Sequence, residues 1–250
     1  MSFKLLSFAR NEPQHACFDE SLIALAAQQG PSACLWEAEQ GLVVPRSYRR
    51  FSAFSDACAQ FEQAGWPVTV RQSGGGIVPQ GPGVINLSLA YTVQGKPLDH
   101  SDAAYLLICR IISQALQAYG VASHPQAVEG SFCDGRYNLA VGRGAGARKI
   151  AGTAQVWRRH PAASSHNDQQ IVLVHALILA HVDVQALSAQ ANRFEQAIGN
   201  DKRYAADRIA SLHTLQNNPG LAGADWLSAL GDALARQVNG ADSLSKAGGA

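Results

Sequence analysis

The apolar and polar positions divide the chain into an early stretch that mixes strands with helices and a late stretch that is helical. Residues 19–30 begin with Asp19 and Glu20, place apolar side chains at 22, 23, 25 and 26, and stop at Gly30, which predicts a helix. Residues 32–37 and 41–44 read as two short strands ended by Pro45. A second helix is expected over 52–64, capped by Ser52, with Phe54, Ala57, Cys58 and Phe61 at helical spacing and Gly65 as its stop. Residues 67–71 form a strand that runs into three glycines, and 83–91 alternates as a strand does. The longest helix is predicted over 99–119, starting at an acidic cap and ending at Gly120, with Leu106, Leu107, Ile111 and Leu116 on a broad apolar stripe. After a loop over 121–135 come strands at 137–141 and 149–157. The nearly continuous apolar run 171–180 has the pattern of a strand buried on both faces. Residues 183–197, 204–215 and 224–238 predict helices, and the Gly/Ala/Ser-rich residues 239–250 are expected to fray.

This order gives an α+β fold, a sheet flanked by helices and then a helical end, with no repeat and no clear linker. Composition agrees with a globular protein: 47% apolar residues, 16% charged residues and a net charge of +1. Near-neutrality suggests no nucleic-acid partner. No apolar run approaches the roughly 20 residues of a membrane span. The first fifteen residues lack the pattern of a secretory signal, and the five separated cysteines have no metal-ligand spacing, so reduced thiols in a cytoplasmic protein are expected. Cys17, Cys34, Cys58 and Cys109 lie in apolar surroundings and read as packing residues.

Three stretches offer chemistry. Arg71-Gln-Ser73-Gly74-Gly75-Gly76 joins two strands. Adjacent glycines either answer a bulge that needs positive φ or let backbone N–H groups approach a ligand. No Gly-Lys-Ser/Thr follows, so this is not a nucleotide-binding P-loop, and the following strand excludes a dinucleotide fingerprint. Arg71 at the strand end is either a solvated cation or a contact for a phosphate or carboxylate. Lys149, opening the small-residue strand Ile-Ala-Gly152-Thr153, is either a surface lysine or a cation aimed at an acyl or phosphate oxygen. Cys133 stands between Phe132 and Asp134 in a polar turn, either a passive thiol or a nucleophile, which a nearby Lys149 or Arg136 would favour. His124, His160, His166 and His175 are possible bases, and no spacing ties any of them to Cys133.

Taken together, Arg71-Gln-Ser-Gly-Gly-Gly, Asn86-Leu-Ser, Gly135-Arg-Tyr-Asn138-Leu and Arg148-Lys149-Ile-Ala-Gly-Thr resemble the biotin/lipoate protein ligase and octanoyltransferase superfamily over residues 15–215. The likeness is greatest to the lipoate-protein ligase A branch, and Glu129-Gly-Ser-Phe-Cys133 resembles its cysteine-dependent octanoyltransferase subgroup. The resemblance implies a ligase-like catalytic domain over 1–215 with a mixed, largely antiparallel sheet, followed by a C-terminal helix and flexible tail over 216–250. It implies that Cys133 carries an octanoyl or lipoyl group as a thioester and that Lys149 holds the acyl oxygen. Gly74, Gly75 and Gly76 would line the acyl tunnel, bordered by Arg71 and Ser73, with Asn86 and Asn138 also at the substrate and Gly152 and Thr153 beneath the carbonyl. The implied partners are lipoyl carrier domains, in 2-oxoacid dehydrogenase subunits or the glycine-cleavage H protein, or acyl carrier protein as donor. Arg46, Arg49 and Arg50, or Arg158 and Arg159, are candidate patches for an acidic carrier, if not simply solvated turns.

Two departures bear on cofactors. The family's usual Asp is Asn138 here, removing a carboxylate that would help hold Mg²⁺ or nucleotide, and only late helices stand where the ligases carry or borrow an accessory domain. Acyl transfer through Cys133 would require no cofactor. The alternatives are an ATP- and Mg²⁺-dependent lipoate ligase and a non-catalytic relative that binds a lipoyl-like ligand.

Overall fold

The computed structural model describes residues 2–7, 13–163, 168–217, 221 and 223–241. Its strands are β1 (Lys4–Ser7), β2 (Ser32–Trp36), β3 (Gly41–Pro45), β4 (Val68–Arg71), β5 (Val78–Gln80), β6 (Val84–Gln94), β7 (His124–Pro125), β8 (Leu139–Val141), β9 (Arg148–Arg159) and β10 (Gln169–Leu179). Its helices are α1 (Leu22–Gln29), α2 (Phe54–Gln63), α3 (Pro97–Gln117), α4 (Val184–Ala197) and α5 (Gly223–Asn239). A seven-stranded sheet has the order β1-β2-β6-β10-β9-β8-β7, and a three-stranded sheet the order β4-β3-β5. Only β1–β2 and β3–β4 are parallel, so the expectation of a mixed, largely antiparallel sheet holds.

The layers follow from the alternation of side chains. On one face of the large sheet, Leu87, Leu89, Val172 and Val174 meet Ile108 and Ile112 of α3 and Trp226 and Leu230 of α5. On the other, Cys34, Trp36, Ile171 and Leu173 meet α1, while Leu177, Leu179 and Val84 pack under the small sheet with Phe61 of α2 and Phe194 of α4. This double coverage explains why β10 is apolar along almost its whole length. At the β8–β9 pairing the register shifts by one residue, Leu139 opposing Ala151 but Ala140 opposing Lys149. That bulge lets Ile150 and Ala151 both enter the core and re-aims Lys149.

Three expectations about local structure are corrected. Ser52 caps nothing: Ala53 is the N-cap of α2, with no side-chain bond, because Phe51 C=O already accepts the Phe54 N–H. Helix α3 starts after Lys96 with Pro97 in its first turn, a position that wastes no N–H, and Asp99 sits inside the turn rather than capping it. Residues 204–215 are not a helix but two short 3₁₀ turns, Ala206–Arg208 and Leu212–Thr214. Between them Ile209 bridges to Lys149 and the Ala210 N–H donates to Lys149 C=O at 2.8 Å, so the segment satisfies its backbone on β9 instead of on itself. The expected fraying of 239–250 falls almost wholly outside the described residues, beyond the end of α5.

Candidate active site

Cys133 is the one non-glycine residue with positive φ, 52°, among the described residues. A left-handed conformation costs a side-chain-bearing residue roughly 1–3 kcal/mol and persists only where its surroundings impose it. They do so through the carbonyls of the turn. Lys149 Nζ donates to Phe132 O at 2.5 Å and to Cys133 O at 2.9 Å, and Asn138 Nδ2 donates to Cys133 O at 2.8 Å. Lys149 is fully buried, 5.0 Å from the centroid of the Phe132 ring. Burial pulls its ammonium from 10.5 down to about 8, an effect opposed chiefly by the Cys133 thiolate form and then by Asp134. The lysine is thus no surface residue; it grips the backbone that presents the thiol.

Two glycines make room for this arrangement. A Cβ on Gly152 would lie 2.8 Å from Lys149 Nζ, so the bare backbone of β9 is the floor over which the lysine runs. A Cβ on Gly75, whose φ is 105°, would lie 2.6 Å from Cys133 Sγ and 3.1 Å from Arg71 Nη2. The glycine loop is therefore a niche for the sulfur as well as a turn. Arg71 is buried and spends its guanidinium on the loop: Nη1 donates to Val43 O, and Nη2 to Gly74 O at 2.8 Å and Gly76 O at 2.7 Å. It is a brace, where a solvated cation or an anion contact was expected.

Cys133 is 9% exposed and borders an inner pocket, an outer cavity and a second outer cavity along Glu129, Gly130, Lys202 and Arg203. The inner pocket is narrow, walled by Val43, Val78, Leu177 and Trp36, and reaches Gly152, Thr153 and Arg71. Asn86 lines it too, its amide closed against Gln80 by reciprocal bonds of 2.9 and 3.1 Å. The outer cavity is bordered by Gly74, Gly75, Gly76, Tyr105, Asp134 and Lys202. The three glycines thus line the mouth and not the inner pocket where the tunnel was expected. Ser73 and Asn138 are buried and line none of these spaces. Thr153 faces the inner pocket and the outer cavity and donates to Tyr137 O at 2.8 Å.

Sequence reasoning gave His175 only as one of four possible bases, tied to nothing, and missed Asp19 as a site residue. His175 Nδ1 lies 2.7 Å from Asp19 Oδ2 and Nε2 lies 3.0 Å from Ser73 Oγ, and the ring lines the inner pocket with Cys133. The available signal was a lone polar side chain inside the apolar run of β10. Asp19, read as a helix-start charge, is 2% exposed and accepts from Ser88 Oγ at 2.9 Å. His124 is bonded to Gln126, and His166 lies outside the described residues. Cys34 and Cys109 pack in the core as expected, but Cys17 is half-buried on the wall of the inner pocket beside Asp19 and Glu20; burial pushes all three up to about 12, leaving them protonated at neutral pH.

As for a nucleotide-bound cation, position 138 offers it no carboxylate, and the Asn138 amide is turned to the Cys133 carbonyl. Among the described residues no group of three His, Cys, Asp or Glu side chains is placed to hold a metal ion.

Residues 14–222 match the family model described as the lipoyl protein ligase A/B catalytic domain. An uncharacterized protein of Cupriavidus necator is 51% identical over 223 residues, 87% of this chain and 88% of its own. The octanoyl-[GcvH]:protein N-octanoyltransferase of Kyrpidia tusciae is 34% identical over 198 residues, 79% of this chain but only 66% of that enzyme, just under two thirds of its length. Among solved structures, the bi-partite lipoate protein ligase of Thermoplasma acidophilum, from work that also covers its E2 lipoyl domain, is similar with a TM-score of 0.59 at 18% identity. The alignment covers 95% of this chain and 84% of that one, and at such identity it speaks for the fold.

Proposed function

Since this chain belongs to the lipoyl protein ligase A/B catalytic-domain family, we propose that it moves an octanoyl or lipoyl group through a Cys133 thioester to a lysine of a lipoyl carrier domain. The observation that carries this reading is Cys133 itself, held at positive φ by Lys149 and Asn138 with its sulfur against the Cβ-free face of Gly75. A packing cysteine has no need of such a setting.

In the first step Sγ bonds to the acyl carbon of the donor. The bond from that carbon to the donor's lysine nitrogen, or to sulfur if the donor is an acyl carrier protein, breaks, and the thiol proton leaves with the departing group. In the second step the acceptor's lysine amine attacks the thioester, the C–S bond breaks, and a proton returns to sulfur. No bond in this exchange draws on ATP. Lys149 has three N–H donors, of which Phe132 O and Cys133 O hold two. The reading assigns the third to the oxygen that becomes negative in each tetrahedral intermediate; because Lys149 is fully buried and lines neither the inner pocket nor the outer cavity, the turn around Cys133 must open for that contact, which burial then makes strong. The acyl chain extends into the inner pocket between Val43, Val78 and Leu177.

A carrier domain has to bring its lysine to the outer cavity. Lys202 stands on that rim, Arg203 lines the adjoining cavity beside Cys133, and Arg46 donates to Gln72, which precedes the glycine loop. Arg158 and Arg159 are at the far end of β9, up to roughly 30 and 33 Å from Lys149 at ~3.3 Å per residue, away from this rim.

The test is transfer from octanoyl-H protein to an apo lipoyl domain with no nucleotide added. The reading predicts transfer that Cys133→Ser abolishes and Lys149→Ala lowers by about 10²–10³-fold. Transfer that survives Cys133→Ser, or modification only with free lipoate, ATP and Mg²⁺, would instead support a ligase.

A further inference from the structure

The acyl-transfer reading uses Cys133, Lys149 and the glycine loop, but leaves a second line of polar groups unexplained. It begins at Trp36, whose Nε1 donates to Ser88 Oγ at 3.2 Å; Ser88 Oγ donates to Asp19 Oδ2 at 2.9 Å. His175 Nδ1 meets the same Asp19 oxygen at 2.7 Å, and His175 Nε2 meets Ser73 Oγ at 3.0 Å. The directions of these bonds follow from chemistry. A carboxylate only accepts, so Nδ1 carries a proton toward Asp19, and in the neutral ring Nε2 accepts the Ser73 hydroxyl. Every group in the line then has its partner, across a sheet face where an unpaired polar atom would be costly.

The line ends on the residue that starts the glycine loop. Ser73 fixes the beginning of the loop, and Arg71 fixes the carbonyls of Gly74 and Gly76. Between these ties sits Gly75, the residue against which Cys133 Sγ rests. A shift of a few tenths of an ångström at Ser73 changes the niche of the sulfur, because the site has no slack at Gly75.

We propose that His175, held by Asp19, is a positioning residue for acyl transfer: through Ser73 it sets where the glycine loop meets the Cys133 sulfur. The proposal rests on the acyl-transfer reading. The Ser73-His175-Asp19 geometry resembles that of a serine nucleophile with its base, but Ser73 is buried and lines neither the inner pocket nor the outer cavity, so its hydroxyl serves the loop. His175 does line the inner pocket, together with Cys17, Glu20 and Arg71, and that wall position couples loop geometry to the space the acyl chain fills.

Two readouts test this. In single-turnover formation of the Cys133 acyl adduct, Ser73→Ala and His175→Ala are each expected to lower the rate about 10- to 100-fold with the donor's KM within about threefold, and the double variant to be no slower than the worse single one. His175→Gln, whose amide can still accept from Ser73, should recover most of the loss. The second readout needs no substrate: the rate at which iodoacetamide alkylates Cys133, followed by peptide mass, should change about fivefold or more in both alanine variants, by the same amount in their double variant, and return in His175→Gln. An unchanged alkylation rate in Ser73→Ala, or effects of the two substitutions that multiply, would overturn the proposal. If no donor acylates Cys133 at all, the transfer reading falls, while the alkylation result still decides whether His175 governs the niche.

Discussion

Lys149 is where single-residue chemistry decides most. Its ammonium is buried and bonded to two carbonyls, and burial has brought it to about 8. In the proposed role it must be charged, so the transfer rate should fall as pH rises through about 8, and Lys149→Arg should flatten that alkaline limb at a lower overall rate. Lys149→Ala should reduce transfer by about 10²–10³-fold, the scale of losing one oxyanion donor. Stability has the opposite slope. The folded value lies below the unfolded 10.5, so the unfolded chain holds more protons between about 8 and 10.5 and folding is favoured as pH rises through that window. Wild type should therefore gain on Lys149→Met by on the order of 3 kcal/mol between about pH 7 and pH 10.5, read by urea unfolding of both proteins. Equal pH dependence in the two would mean that the ammonium is not buried. Gly75→Ala combines a φ of 105° with a contact at the sulfur and should cost ~1–3 kcal/mol in unfolding experiments as well as most of the activity, whereas Gly74→Ala meets nothing within 4 Å.

At the scale of elements, the chain's periodicities showed most strands and helices, and the motifs showed Cys133, Lys149 and the glycine loop, because each is a local pattern. What they could not show is set by distance along the chain. Residues 204–215 have helical spacing, yet Ile209 and Ala210 find better partners on β9. Asp19 looked like a helix-start charge until Ser88 and His175, 69 and 156 positions away, closed around it. A comparable long-range tie fastens α4 to the glycine loop: the fully buried Glu195 accepts from Tyr48 at 2.5 Å, Tyr204 at 2.6 Å and Asn200 at 2.6 Å, while Tyr48 Oη accepts the Ile77 N–H. Its carboxylate raises Tyr204, already pushed up by burial, well above the usual phenol range. Glu195→Ala strands one buried donor, Tyr48, and two half-buried ones, Tyr204 and Asn200, and should destabilise by ~2–4 kcal/mol in denaturant unfolding, with Tyr204→Phe costing less. A loss below about 1 kcal/mol for Glu195→Ala would show that the cluster is not a tie.

For the whole molecule, the large sheet holds the inner pocket on one face, and α3 and α5 stiffen it from the other. Trp226 of α5 is fully buried and donates to Ala180 O at the end of β10, so the last helix belongs to the same core as the site, and Trp226→Ala should cost ~3–5 kcal/mol. At the outer cavity, under the proposed function, Lys202→Glu should lower kcat/KM for an acidic carrier about 3- to 10-fold and reduce its salt dependence, leaving the reactivity of Cys133 unchanged. All of this presumes that the sulfur in its niche is what the acyl group bonds to. The most direct measurement is the intact mass of the protein after brief exposure to octanoyl-H protein, quenched in acid: one octanoyl group on Cys133, labile to hydroxylamine and passed on when an apo lipoyl domain is added, is the predicted result. A carrier domain that becomes octanoylated while Cys133 is never found acylated would contradict it.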